Sequence, residues 1–196
     1  MNANDWHTAL GVLATIIYLS IIYPYVRSIL KGPTRPNIVS WAGWCFLFAI
    51  ASGAQFSKGA SWSLVVPLFS TLSTAIIAFV AIREGYARLT RVDVVCLALG
   101  VSALVVWGFT HEPLTALVLI ILADLFVTIP TIVKTYRVPE TEPAGLWALY
   151  VFASGLAVVA TTTFTIYNLL YPLYTVVGSS VIALLALRRA PHEERI

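Results

Sequence analysis

The sequence predicts an all-α integral membrane protein of seven transmembrane helices, built as two parallel three-helix-bundle repeats joined by a linker helix. Three observations predict it. Hydrophobic residues make up 59% of the 196-residue chain and charged residues 11%, against roughly 45–50% and 25% in soluble proteins. So few charges cannot cover the surface of a soluble fold. The chain also divides into seven apolar segments of spanning length, and its two halves match each other in a nearly constant register. The same composition excludes a disordered, collagen-like or disulfide-stapled chain. A net charge of +3, with no basic cluster interleaved with exposed aromatics, gives no reason to expect nucleic acid as a partner. The expected partners are the lipid bilayer, a small-molecule solute and protons.

A bilayer core of roughly 30 Å needs about 20 helical residues, and each predicted span meets that length. The first, 6–30, follows a start without the positive charges of a signal peptide, so it is expected to remain as a helix. It carries Pro24 and a polar stripe of Thr15, Tyr18, Tyr25 and Ser28. The second, 37–56, opens after KGPTRPN with Trp41 and Trp44. The third, 61–83, follows the SKG turn. Its Ser63, Pro67, Ser70 and Thr74 recur at helical spacing on one face. The fourth, 92–110, is separated from it by REGYARLTR. The fifth, 113–136, begins after His111 and Glu112 and holds Asp124, Thr128, Pro130, Thr131 and Thr135. The sixth, 143–164, starts after RVPETEP and carries Trp147. The seventh, 166–188, is divided from it at TTTFTIYN, because 143–188 is twice too long for one span. Asn168, Pro172, Thr175 and Ser179 share one face of it.

The cations test this division independently. With the N-terminus outside, Arg27, Lys31, Arg35, Arg83, Arg88, Arg91, Lys134, Arg137, Arg188, Arg189 and Arg195 fall on the cytoplasmic side, leaving only Lys58 outside. Short loops follow this positive-inside bias. The expected location is the cytoplasmic membrane of a prokaryote, N-terminus outside and C-terminus cytoplasmic.

A shift of 106 residues superposes Pro24 on Pro130, Pro33 on Pro139 and Trp41 on Trp147; a shift of 105 then pairs Pro67 with Pro172 and Arg83 with Arg188. Residues 1–196 are therefore expected to form a single membrane domain. Its parts are a first repeat at 6–83, a linker helix at 92–110 and a second repeat at 113–188. Three helices are an odd number, so the linker helix turns the second unit back into parallel orientation. Parallel repeats about an axis along the membrane normal are a recurring transporter plan, with the substrate between the halves.

On this 3+1+3 layout, with a proline late in the first helix of each repeat, the chain resembles the PQ-loop and SWEET-like membrane proteins. That group includes sugar facilitators, lysosomal amino-acid exporters and the KDEL receptor. The family's Pro-Gln dipeptide stands here as Pro24-Tyr25 and Pro130-Thr131. The resemblance implies alternating access hinged on the prolines, which makes Pro24, Pro67, Pro130 and Pro172 the hinge candidates. Fixed bends that improve packing are the other reading of the same residues. The resemblance further implies that the third helix of each unit lies between the other two.

Asp124 is the sharpest single residue, a carboxylate well inside a span, where a charge costs several kcal/mol unless paired, hydrated or protonated. It is either a proton-coupling or substrate-binding acid, or an acid hydrogen-bonded for helix specificity. Its mate in the repeat, Tyr18, is the expected partner. Asn168 offers two donors and an acceptor that are expensive to bury unpaired. Ser63, Ser70, Thr128 and Thr175 complete the polar pocket candidates, although small hydroxyl residues also serve close helix packing. Trp41 and Trp147 are either interface-belt residues or stacking surfaces for a ring-shaped solute. Trp44, Trp62 and Trp107 read as belt or lipid-facing residues, and Glu140 and Glu142 as a solvated loop network with Lys134 and Arg137.

Neither His7, His111 and His192 nor Cys45 and Cys96 have metal-ligand spacing. No nucleotide loop or catalytic triad occurs, so neither a cofactor nor an enzyme is expected. A retinal protein would need a lysine in the last helix, and Lys31, Lys58 and Lys134 all lie elsewhere. The expected function is small-solute transport, uniport or proton-coupled, through an axial pocket between the repeats. The alternative is a non-transporting receptor or scaffold of the same fold.

Overall fold

A computed structural model of the chain describes residues 3–57, 65–86, 88–110 and 112–188. All regular structure among them is helical: α1 (Ala3–Ser20), α2 (Ile22–Lys31), α3 (Ile38–Ser57), α4 (Val65–Arg83), α5 (Arg91–Gly108), α6 (Pro113–Arg137), α7 (Ala144–Val159) and α8 (Ile166–Ala186), with a 3-10 turn at Pro139–Thr141.

The first two helices are one bent rod, so the described residues form seven rods. Pro24 has no N–H for the Ser20 carbonyl, and its ring crowds that carbonyl. The helix breaks one turn earlier, at Ile21, and resumes with Tyr25 N donating to Ile21 O at 3.0 Å. Side chains set several other boundaries. Asn37 accepts from Ser40 N at 3.1 Å in the first turn of α3. Thr90 and Asp93 form a reciprocal capping box at the start of α5. Glu112 caps α6 by accepting from the Leu114 and Thr115 amides, and these bonds hold its carboxyl below the usual carboxylate range.

Four helices are long and apolar enough to cross a bilayer: Trp6–Lys31, Arg91–Gly108, Leu114–Arg137 and Ile166–Ala186. Three shorter apolar stretches accompany them, Ile38–Gly53, Leu68–Arg83 and Ala144–Val159. The predicted sixth span, 143–164, is cut at Val159. Thr161 to Thr163 follow, poor helix formers whose hydroxyls compete for backbone groups, and Thr161 turns its hydroxyl back to the Ala157 carbonyl at 3.1 Å.

The packing is a closed ring in which α1/α2, α4, α3, α6, α8 and α7 follow one another, with α7 returning to α1. The last helix of each group of three (α4 and α8) thus packs against the two before it. α5 packs on α6 and touches α3. Within the ring, Ile21, Tyr25, Trp41, Ile77, Trp147 and Ile182 form one buried cluster. The outer surface is apolar, with Phe79, Val94, Val105, Phe152 and Leu184 all more than half exposed. Contiguous apolar exposure of this kind suits lipid as the solvent, consistent with an integral membrane protein.

Candidate functional site

The inner faces of α1, α3, α4, α6, α7 and α8 enclose a cavity of about 310 Å³. It gathers Tyr18, Trp41, Ser70, Asp124, Thr128, Trp147 and Thr175 from the predicted binding residues. Helical spacing explains the convergence. Ser70 and Thr74 recur on one face of α4, Asp124 and Thr128 on one face of α6, and Pro172, Thr175 and Ser179 on one face of α8; all line the cavity. Asn168 is absent from the wall. It stands exposed in the first turn of α8, donating to the Thr163 carbonyl at 2.9 Å. Ser63 lies outside the described residues.

Asp124 is 5% exposed, and its carboxyl is in hydrogen-bonding reach of the Tyr174 hydroxyl and the Trp44 indole N–H. Tyr18, its expected partner, bonds instead to Ser154 Oγ. Ring packing is the reason: α1 lies against α7, whereas α6 has α3 and α8 as neighbours. The side chains within reach of Asp124 are therefore those of α3 and α8. The stripe below it is buried throughout, from Thr128 through Thr131 to Thr135. Thr128 donates to the Asp124 carbonyl at 2.8 Å and Thr135 to the Thr131 carbonyl at 2.7 Å.

Rings make up much of the remaining wall. Trp41 and Trp44 stand 5.2 Å apart edge-on, Trp44 and Trp147 6.1 Å, Trp147 and Tyr150 5.3 Å, and Tyr150 and Tyr18 5.6 Å. Tyr171 and Tyr174 face in from α8, 6.0 Å apart. Trp44 is thus a cavity residue, not a belt residue. Its position three residues after Trp41 puts both on one helix face, a signal already in the sequence; Tyr171, four residues before Thr175, carries the same signal.

Beside Trp147 on the cavity wall, polar contacts tie three helices and two loops together. Glu142 accepts from the Tyr25 hydroxyl at 2.7 Å and the Trp147 indole N–H at 2.9 Å, and pairs with Lys134. Lys134 also donates to the Arg35 carbonyl, and Arg35 N donates to Thr141 O at 3.0 Å, so the loops at 32–37 and 138–143 are joined. Glu142 is 3% exposed, which corrects its reading as a solvated loop acid; Glu140 is exposed as read. No pattern in the sequence signals this, because Tyr25 and Glu142 are 117 residues apart. Asp93 is likewise buried, accepting from the Asn37 amide at 2.8 Å and tying α5 to the start of α3.

The proline positions differ in what surrounds them. Pro24 lies beside the α1/α2 break, while Pro130 and Pro172 sit inside unbroken helices. Pro172 lines the cavity, and Pro67 falls in the first turn of α4. Next to the Phe126 carbonyl that Pro130 leaves without its N–H, Ser40 of α3 donates to Val127 O at 2.6 Å. Among the described residues no group of three His, Cys, Asp or Glu could hold a metal ion, and Cys45 and Cys96 are free thiols. No known protein family, curated protein or solved structure matches the chain.

Proposed function

We propose that the chain is a seven-span small-solute transporter of PQ-loop and SWEET-like architecture, with units at 6–83 and 113–188 joined by the helix at 92–110. The observation that carries this reading is the cavity between the two groups of three helices, with the buried Asp124 carboxylate on its wall and no Lys or Arg among the described residues that line it. A closed ring in which α1 meets α7 and α3 meets α6 supports a two-fold relation of the units. So do the matched prolines and tryptophans. The cation distribution orients the N-terminus outward, which makes the Glu142 end cytoplasmic. Alternating access then consists of rocking of the two units about the proline-loosened turns, the cavity opening to each side in turn, and Asp124 carries the proton. A carboxylate at such depth is held charged only at a cost of several kcal/mol, so a change in its hydration between the two states moves a proton on or off. Its titratable neighbours are the phenols of Tyr171 and Tyr174, with Tyr18 beyond them.

The test is counterflow and pH-driven uptake in proteoliposomes, with radiolabelled glucose, alanine and choline as probes of three solute classes. The expected result is accumulation of one class under an inward proton gradient, abolished by Asp124→Asn while circular dichroism and gel filtration stay unchanged. Uptake by Asp124→Asn with an unaltered pH profile would assign Asp124 a structural role. Binding of a probe without any exchange would replace the transporter with a receptor.

A further inference from the structure

We infer that the cavity recognises a monovalent organic cation, an alkylated ammonium compound whose charge meets Asp124 and whose methyl groups meet the aromatic wall. The inference rests on the transporter reading only for the claim that the ligand moves; the recognition stands on the cavity itself. Four properties of the wall lead to it.

Among the described residues of the wall, the one formal charge is the Asp124 carboxylate, and none is Lys, Arg or His. An anion therefore has nothing to pair with, and an amino acid zwitterion would bring its own carboxylate into a site without a cation. Much of the rest of the wall is rings, Trp41, Trp44, Trp147, Tyr150, Tyr171 and Tyr174 among them. Aromatic faces carry negative potential and attract cations within about 6 Å, quaternary ammonium groups in particular.

The hydroxyls are largely committed elsewhere. Thr74 donates to the Ser70 carbonyl at 2.8 Å, Thr128 to the Asp124 carbonyl at 2.8 Å and Thr175 to the Pro172 carbonyl at 2.8 Å. A sugar presents many groups that need both donors and acceptors, and these threonines have spent their protons on their own helices. An ammonium head makes no such demand. A hard metal ion is also a poor fit, since Ca²⁺ requires about 6–8 oxygen ligands and the described residues offer no carboxylate cluster. Finally, about 310 Å³ is near the lower end of the roughly 300–1,000 Å³ typical of ligand pockets. That size suits a small head group over an extended substrate.

The experiment uses the purified full-length chain in detergent, with tryptophan fluorescence and thermal shift as readouts. The probes are choline and its uncharged carbon isostere, 3,3-dimethylbutan-1-ol. Choline is expected to bind at least tenfold more tightly than the isostere, because the two differ in charge and hardly in shape. Asp124→Asn should erase that difference. Tyr171→Leu should weaken choline about tenfold, whereas Tyr171→Phe, which keeps the ring, should stay within twofold of the parent. The Phe variant also controls for folding. Equal binding of choline and the isostere would overturn the inference, since the cavity would then read shape and not charge. Absence of choline binding would overturn it as well, and if glucose or alanine still accumulated in proteoliposomes the transporter reading would survive. Choline binding without counterflow would uphold the cation site and remove the transport.

Discussion

The Glu142 carboxylate receives the Tyr25 hydroxyl, the Trp147 indole and the Lys134 ammonium, from α2, α7 and α6. Its side chain is fully buried, and that of Lys134 is 20% exposed. Removing one member of a buried pair strands the other, at a cost of about 3–5 kcal/mol. Lys134→Met should therefore destabilise the protein by about 3 kcal/mol, the low end, because the lysine keeps some contact with solvent. Chemical denaturation in detergent checks it. Pairing Lys134→Met with Glu142→Gln should recover a large part of the loss. At this scale the sequence was legible wherever one helix face was enough. The polar faces of α4, α6 and α8 were readable from spacing, and they lead to the cavity. What each side chain bonds to was not. Asp124 has Tyr174 and Trp44 within reach rather than Tyr18, and Glu142 is buried instead of solvated, because such partners are chosen by helices that pack together across long sequence separations.

Between elements, α3 comes close to α6 at Gly43. A Cβ at Gly43 would lie 2.6 and 2.7 Å from the two Val127 methyl carbons, far inside van der Waals contact. Valine is stiff at χ1, so the methyl groups cannot swing aside and the helices must part. Gly43→Ala should cost about 1–3 kcal/mol, the usual range for overpacking. Val127→Ala in the same molecule should restore part of it, since the added and deleted carbons occupy one space. Thermal unfolding of the two single variants and the double variant measures the coupling directly. Helix positions were readable from apolar runs and breaks, and the proline at position 24 foretold the interruption at Ile21. The end of α7 was not, because length alone placed it within 161–168, whereas backbone competition by the threonines ends the helix at Val159.

For the whole molecule, the proposed seven-span orientation makes a direct forecast about accessibility. In a variant with Cys45 and Cys96 replaced by Ala, single cysteines at 58 and 112 should react with a membrane-impermeant maleimide from outside. Those at 33, 88, 140 and 193 should react only after permeabilisation. Labelling of 33 and 58 from the same face would refute the map and the parallel units with it. Composition made the lipid-facing character legible at this scale, and the order of helices around the ring was an expectation from resemblance alone. Periodicity says which face of a helix is buried but not which neighbour covers it.

The Glu142 fastening has no counterpart in the other half of the register, although the two loops it joins are each other's mates. The shift of 106 that takes Trp41 to Trp147 takes Pro36 to Glu142, and proline has no carboxylate. Of the three Glu142 donors, Trp147 and Tyr25 have Trp41 and Thr131 as mates, and Trp41 Nε1 and Thr131 Oγ1 are buried without a hydrogen-bond partner; the Tyr25 hydroxyl near Trp41 falls outside bonding geometry. In the proposed parallel arrangement a residue and its mate lie at the same end of the molecule, so this end carries one fastening where a strict two-fold would give two. Opening that end in the proposed rocking cycle parts Glu142 from Tyr25, Trp147 or Lys134, and the intact bonds favour the shut state. A solute that opens this end must prefer the open state by at least that difference, so under the proposed cycle the Glu142 bonds set a threshold for turnover.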